Sequence, residues 1–174
     1  DGDGTMDVLS TSRYSMHESK VAWYQNDGQE NFTSQTVSYS HNGATYVRAA
    51  DMNNDGNMDI LSSSNYDESI VWFENDGGEV LGDSLDFEMH YILENPLNNT
   101  DPREILITDM DNDGDNDVLA ALYSASKVHW YENDGDGNFI EHSIGDAPGA
   151  MSVSFADIDE DGKIDVLFSG ALQE

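Results

Sequence analysis

Asp109-Met-Asp111-Asn-Asp113-Gly114-Asp115-Asn-Asp117 runs directly into Val118-Leu-Ala-Ala. Carboxylates stand at every second position, a glycine follows the third, and a last aspartate opens an apolar stretch. Three or four carboxylates held within about 4 Å repel one another by roughly 1 kcal/mol per pair in water, and by more where water is excluded. Such a cluster needs a cation. Oxygen-only donors in loose array suit calcium, which takes six to eight oxygens, better than magnesium, which demands an octahedron and keeps its waters. The glycine marks a sharp turn that a residue without a Cβ adopts easily.

The pattern recurs. Asp51-Met-Asn53-Asn-Asp55-Gly56-Asn57-Met-Asp59 and Asp157-Ile-Asp159-Glu-Asp161-Gly162-Lys163-Ile-Asp165 are complete copies, and Asp1-Gly-Asp3-Gly-Thr5-Met-Asp7 is a partial one without its first ligand position. One copy reads equally well as a solvated Asp/Gly turn; three complete copies and a partial one in register do not. The expected side-chain ligands are Asp51, Asn53, Asp55 and Asp59; Asp109, Asp111, Asp113 and Asp117; Asp157, Asp159, Asp161 and Asp165; and Asp1, Asp3 and Asp7. The residue after each glycine (Asn57, Asp115, Lys163, Thr5) is expected to offer a backbone carbonyl, which leaves its side chain free to vary. An EF-hand is excluded. Its twelfth position needs a bidentate Glu, where this chain has Ser62, Ala120 and Phe168.

The stretch after each loop is β-prone: Asp7-Val-Leu-Ser, Asp59-Ile-Leu-Ser, Asp117-Val-Leu-Ala and Asp165-Val-Leu-Phe. Trp23, Trp72 and Trp130 come in step, each followed by Tyr24, Phe73 or Tyr131, and each pair leads to an Asn-Asp-Gly turn at 26–28, 75–77 and 133–135. A phenylalanine (Phe32, Phe87, Phe139) opens the next strand. Short apolar runs bounded by turn residues are the strand signature, and no segment holds a helical period. Repetition decides the architecture: four strands per roughly 50 residues make a propeller blade. The expected fold is all-β, a β-propeller of four-stranded blades with about three blades present. The repeats run 1–50, with the truncated first loop, 51–108, with loop insertions, 109–156, and 157–174, the start of a fourth. In such blades the tryptophans are expected to pack between sheets, with their neighbours facing the other way.

The Asp-x-Asp-x-Asp-Gly-x-x-Asp loops and the Trp-Tyr-Glu-Asn-Asp-Gly signature at 130–135 resemble FG-GAP/VCBS-type repeats, whose calcium loops are similar to those of the integrin α-subunit propeller. The resemblance implies a calcium-bearing propeller of six to eight blades. Three blades fall short of a ring, so a piece of a longer chain, or a subunit that closes by oligomerising, is expected. The resemblance implies no single function, because the family serves adhesion, carbohydrate binding and accessory domains of enzymes.

Thirty-six acidic residues against six basic ones give a formal charge of −30. Nucleic acid is excluded as a partner, since phosphate binding needs clustered Lys and Arg, and no segment suits membrane insertion. With no cysteine, calcium takes the place of disulfides as a staple. Loops of modest affinity work where calcium is millimolar, so a secreted or cell-surface location is expected. The sequons at Asn31 and Asn98 permit glycosylation in a eukaryotic source.

No nucleophile elbow, His-Glu-x-x-His or phosphate-cradling loop is present, and the loop acids are committed to metal; the segment is expected not to be an enzyme. His90 and His142 recur at equivalent positions, as expected of a structural role. Two insertions in the second repeat, at 78–86 and 95–102, are the first candidates for partner contact, because binding concentrates on loops carried by rigid scaffolds. The expected role is a calcium-stabilised structural or adhesive module, in contact with other blades or subunits and with a protein or glycan ligand. The alternatives are a lectin-like propeller and a non-catalytic accessory domain of a secreted enzyme.

Overall fold

The structure, a computed structural model, describes residues 2–12, 19–77, 87–94 and 99–171. Asp1, His17, Asn98 and the body of both insertions lie outside the described residues. Among those described there is no helix; thirteen strands form four antiparallel sheets.

The first sheet holds β1 (Val8–Ser12), β2 (Lys20–Asn26) and β3 (Phe32–Ser38). The second holds β4 (Ala44–Ala50), β5 (Asp59–Ser64), β6 (Ser69–Glu74) and β7 (Glu88–Glu94). The third repeats it with β8 (Pro102–Thr108), β9 (Asp117–Leu122), β10 (Lys127–Asn133) and β11 (Phe139–Asp146). The fourth pairs β12 (Ala150–Ala156) with β13 (Asp165–Gly170). Strands meet in chain order, as hairpin connections require, and each sheet is a meander. The expected all-β arc of propeller blades is what the chain forms. Each aspartate loop connects the first two strands of a blade, so β4, β8 and β12 precede the loop of the sheet they belong to.

Three apolar interfaces hold the sheets face to face. Trp23, Ile60, Val71 and Phe73 fill the gap between the first two; Met52, Leu61, Trp72, Ile105, Val118 and Tyr131 fill the next; Leu119, Val128, Ala150 and Val153 lie between the third and fourth. The alternation of a strand explains this stacking. Trp72 faces the third sheet while Phe73 faces the first, and Tyr131 faces the second while Trp130 packs toward the fourth. These two aromatic pairs thus each serve two interfaces, and Trp23 and Trp72 are buried between sheets. β5 and β9, the second strands of the complete sheets, are buried along their whole length, which accounts for their continuous apolar and small-residue runs. Glu104 on β8 ties neighbours together: it accepts from the backbone N–H of Val153 at 3.1 Å and lies 3.7 Å from Arg48.

His41 is buried before β4, its ring edge-on to Phe73 at 6.2 Å, and its Nε2 has no hydrogen-bond partner among the described residues. Burial, only partly offset by the charge of Asp67, lowers its pKa from an ordinary 6.5 to about 4. The unfolded chain takes up that proton first. The stabilisation from a neutral His41 is therefore complete above pH 6.5 and is lost as pH falls toward 4, by about 3 kcal/mol in all. In urea titrations at fixed calcium, His41→Leu is expected to flatten the pH dependence of stability across this window. An unchanged slope rejects the assignment.

Candidate metal centres

In the 109–117 loop the backbone curls around its own carboxylates. Asn112 and Gly114 adopt positive φ, 64° and 102°. A Cβ on Gly114 would meet nothing, so the glycine is there for its backbone angle. The curl aims the N–H groups of Asp113 and Gly114 at the two oxygens of Asp109, each at 3.1 Å. Asp113 N–H also donates to Asp111 at 3.2 Å, and Asp115 N–H to Asp113 at 2.9 Å. Each bond fixes one carboxylate oxygen of the loop.

The other copies keep the same bonds. Asp51 accepts from Asp55 and Gly56 at 3.2 and 2.9 Å, and Asp157 from Asp161 and Gly162 at 3.0 and 2.9 Å. Asn53 Oδ1 and Asp159 accept from the third ligand position at 3.3 and 3.2 Å, and Asp55 and Asp161 from the residue after the glycine at 2.7 and 2.9 Å. In the partial loop Asp3 accepts from Thr5 Oγ1 and Thr5 N–H, each at 2.7 Å. These bonds hold the Asp3 carboxyl below its ordinary pKa.

The last aspartate of each loop does a second job. Asp117 has no exposed surface, and its two oxygens accept from Met110 N–H at 2.9 Å and Asn133 N–H at 2.8 Å. Asp59, equally buried, holds Met52 and Asn75 at 2.8 Å each; Asp7 holds Asn26 and the Trp23 indole; Asp165 holds Ile158. In the second and third sheets one carboxylate thus pins the start of the loop to the Asn-Asp-Gly turn two strands away. Burial raises the pKa of Asp59 to about 6 and that of Asp117 in the same direction, with the neighbouring loop acids adding to both. Asp111 is raised as well, by desolvation and then by the charges of Asp113, Glu132 and Asp109.

The ligating oxygens of Asp109, Asp111 and Asp117 lie within 4.8 Å of one another, as do those of Asp157, Asp159 and Asp165. Among the described residues, no Lys, Arg or His pairs with Asp51, Asp55, Asp59, Asp109, Asp111, Asp113 or Asp117; Asp161 has Lys163 at 3.7 Å. A buried carboxylate beside other carboxylates, with no side-chain cation to offset it, is the electrostatic condition that a divalent ion relieves. The donors are all oxygen. These residues fit calcium.

The residue after the loop glycine is more constrained than the sequence indicated. Asp115 lies against the turn glycine Gly135, where an added Cβ would come within 2.7 Å of its carboxylate; Asn57 lies likewise against Gly77, and Thr5 Oγ1 lies 2.7 Å from Asn26 O. Lys163 is largely exposed. The loops of the second and third sheets are also joined directly. Asn54 donates to Asp115 at 2.6 Å, Asn116 to the carbonyl of Asp51 at 2.8 Å, and Asn133 to that of Met52 at 2.8 Å. No local pattern announces these contacts, which span 61 to 81 residues. At the first sequon, Asn31 donates to Asp27 at 2.8 Å, as Asn138 does to Asp134 at 2.9 Å in the third sheet, so the asparagine closes its turn.

Antiparallel sheets stacked in an arc, the second and third of them four-stranded with an acidic loop after the first strand, define a β-propeller repeat protein. The chain belongs to the FG-GAP-like repeat family, which matches residues 1–62 and 109–168. No curated protein matches it.

Proposed function

We propose that the chain is a calcium-stabilised, non-catalytic β-propeller module of a secreted or cell-surface protein, with a structural or adhesive role toward a protein partner. The observation that supports it best is the loop itself: one set of backbone bonds, repeated at 51–59, 109–117 and 157–165, fixes the acidic side chains, and among the described residues no side-chain cation pairs with Asp109, Asp111, Asp113 or Asp117.

The ion would be held in each complete loop by the carboxylates or amide at the first, third, fifth and ninth positions and by the carbonyl of Asn57, Asp115 or Lys163. When bound, it supplies the positive charge that offsets the mutual repulsion of the acids. The protein's part is to hold Asp117 and its counterparts against the Asn-Asp-Gly turn, so that ligand order in the loop is passed to β9 and β10. Extracellular calcium modules work at about 10⁻⁴–10⁻³ M, and a charge of −30 suits such surroundings. Burial of Trp23 and Trp72 between sheets removes them as sugar-stacking platforms, which favours a protein over a glycan ligand.

Asp113→Ala tests the reading. Native mass spectrometry is expected to show one calcium fewer than in the wild type. The variant should melt lower in calcium yet together with the wild type in chelator, because exposed Asp113 has little to hold besides the ion and the Asp115 N–H. An equal loss in both conditions rejects the metal role of that loop.

A further inference from the structure

Beside the 51–59 loop, a different set of donors meets on the outer strands of the second sheet. Antiparallel pairing sets Trp72 opposite His90 and Glu74 opposite Glu88. Opposed residues share a face of the sheet, as do residues two apart on a strand. The ligating atoms of Glu74, Glu88 and His90 consequently lie within 4.8 Å of one another.

The site is held in place from two sides. The His90 ring stacks on Trp72, with centroids 4.6 Å apart and planes at 25°, and its Nε2 lies 2.8 Å from Glu74 Oε2. The other Glu74 oxygen accepts from the Asn53 amide at 2.9 Å. Outer partners of this kind orient metal ligands. A cleft of 380 Å³ lined by Glu74, Asp76, Phe87 and Glu88 opens beside them, with space for a further ligand.

The neighbouring sheets separate a structural device from a site. In the third, Trp130 stacks on His142 at 4.5 Å and His142 Nε2 lies 2.6 Å from Glu132, but the residue opposite Glu132 is Ile140. In the first, Gln25 faces Thr33 and Trp23 faces Gln35. A Glu–His pair over tryptophan therefore serves the strands without a third donor. The second sheet alone of the three adds a glutamate at this place, Glu88, directly opposite Glu74. Like charges in that position destabilise a sheet, and a cation between them removes the cost.

We propose that Glu74, Glu88 and His90 bind a first-row transition ion, zinc in the first instance, at a site distinct from the aspartate loops. One imidazole nitrogen and two carboxylates, with water completing the tetrahedron, is a zinc donor set, with bonds of about 2.0–2.2 Å. Calcium keeps to oxygen ligands, so His90 sets the preference. The ion replaces the His90–Glu74 hydrogen bond, and the cleft side takes the water.

The experiment titrates the full chain with zinc in excess calcium by calorimetry and follows cobalt substitution by its visible absorption. One zinc per chain is expected, with a cobalt spectrum showing nitrogen coordination. Glu88→Ile, which copies the third sheet, and His90→Gln, which copies the first, should each weaken zinc by more than the roughly 10- to 100-fold that loss of an outer partner brings. His142→Gln should leave binding unchanged, and Ile140→Glu should create a second site. Glu88→Ile should melt no lower than the wild type in the absence of zinc, since it removes the charge opposite Glu74, which separates ligand loss from misfolding. The absence of zinc binding, or equal binding by wild type, Glu88→Ile and His90→Gln, overturns the proposal. Because the readout is zinc and not calcium, failure of the calcium reading leaves a positive result standing.

Discussion

Removing calcium is expected to lower the melting temperature of this protein by about 10–30 °C. An ion bound only by the folded state stabilises it by RT ln(1 + [L]/Kd). With dissociation constants of about 10⁻⁴–10⁻³ M, about 10 mM calcium contributes roughly 1.4–2.7 kcal/mol per loop. Three complete loops then amount to about 4–8 kcal/mol, and a chain of this size shifts by roughly 2–4 °C per kcal/mol. In chelator the loss is made worse by the acids left behind. Asp59 and Asp117 are fully buried among other acids, and burial has already raised their pKa values. Calorimetric melting in calcium, in chelator and in equal magnesium measures the effect. Magnesium should recover only a small part, since the loops offer flexible oxygens and not a strict octahedron. Superimposed calcium and chelator curves would remove the ion as a source of this fold's stability.

Asp117→Ala is expected to destabilise the protein by about 2–5 kcal/mol in chelator as well as in calcium. The substitution removes the acceptor of Met110 N–H and of Asn133 N–H at once, and an unsatisfied buried donor costs about 1–3 kcal/mol. Calcium cannot restore either bond. The contrast with Asp113→Ala is therefore the informative measurement: both variants are expected to lose an ion, but only one loses the junction between loop and turn. Chemical denaturation in both media separates them. If Asp117→Ala unfolds with the wild type in chelator, the anchoring role assigned to the last aspartate is wrong.

Much of the architecture was legible because it is local and repeated. The Trp72-Phe73 and Trp130-Tyr131 dipeptides announce strands buried on both faces, and the alternation of a strand then requires one ring per interface, which the stacked sheets show. The loop is equally local: its bonds join residues two, four, five or seven apart, so a nine-residue pattern carries nearly all of its geometry. The residue after the glycine was harder to read. A carbonyl ligand places no demand on a side chain, yet Asp115 and Asn57 pack against turn glycines about twenty residues on. Only the third strand of the blade brings those groups together.

By itself, the sequence determined that the chain is a repeat of short strands, where each acidic loop lies, and that each loop gathers like charge a cation could offset, since repulsion between neighbouring carboxylates depends on little beyond their spacing. The tertiary structure decided which of those acids also support the fold. Asp117 differs from Asp113 because strand pairing buries one and exposes the other. Pairing likewise decided that Glu74 stands opposite Glu88 while Glu132 stands opposite Ile140. Sheet stacking decided that Asn133 reaches Met52, 81 residues away. Contacts of that span follow from register and from the packing of one blade on the next, which no periodicity in a single strand specifies.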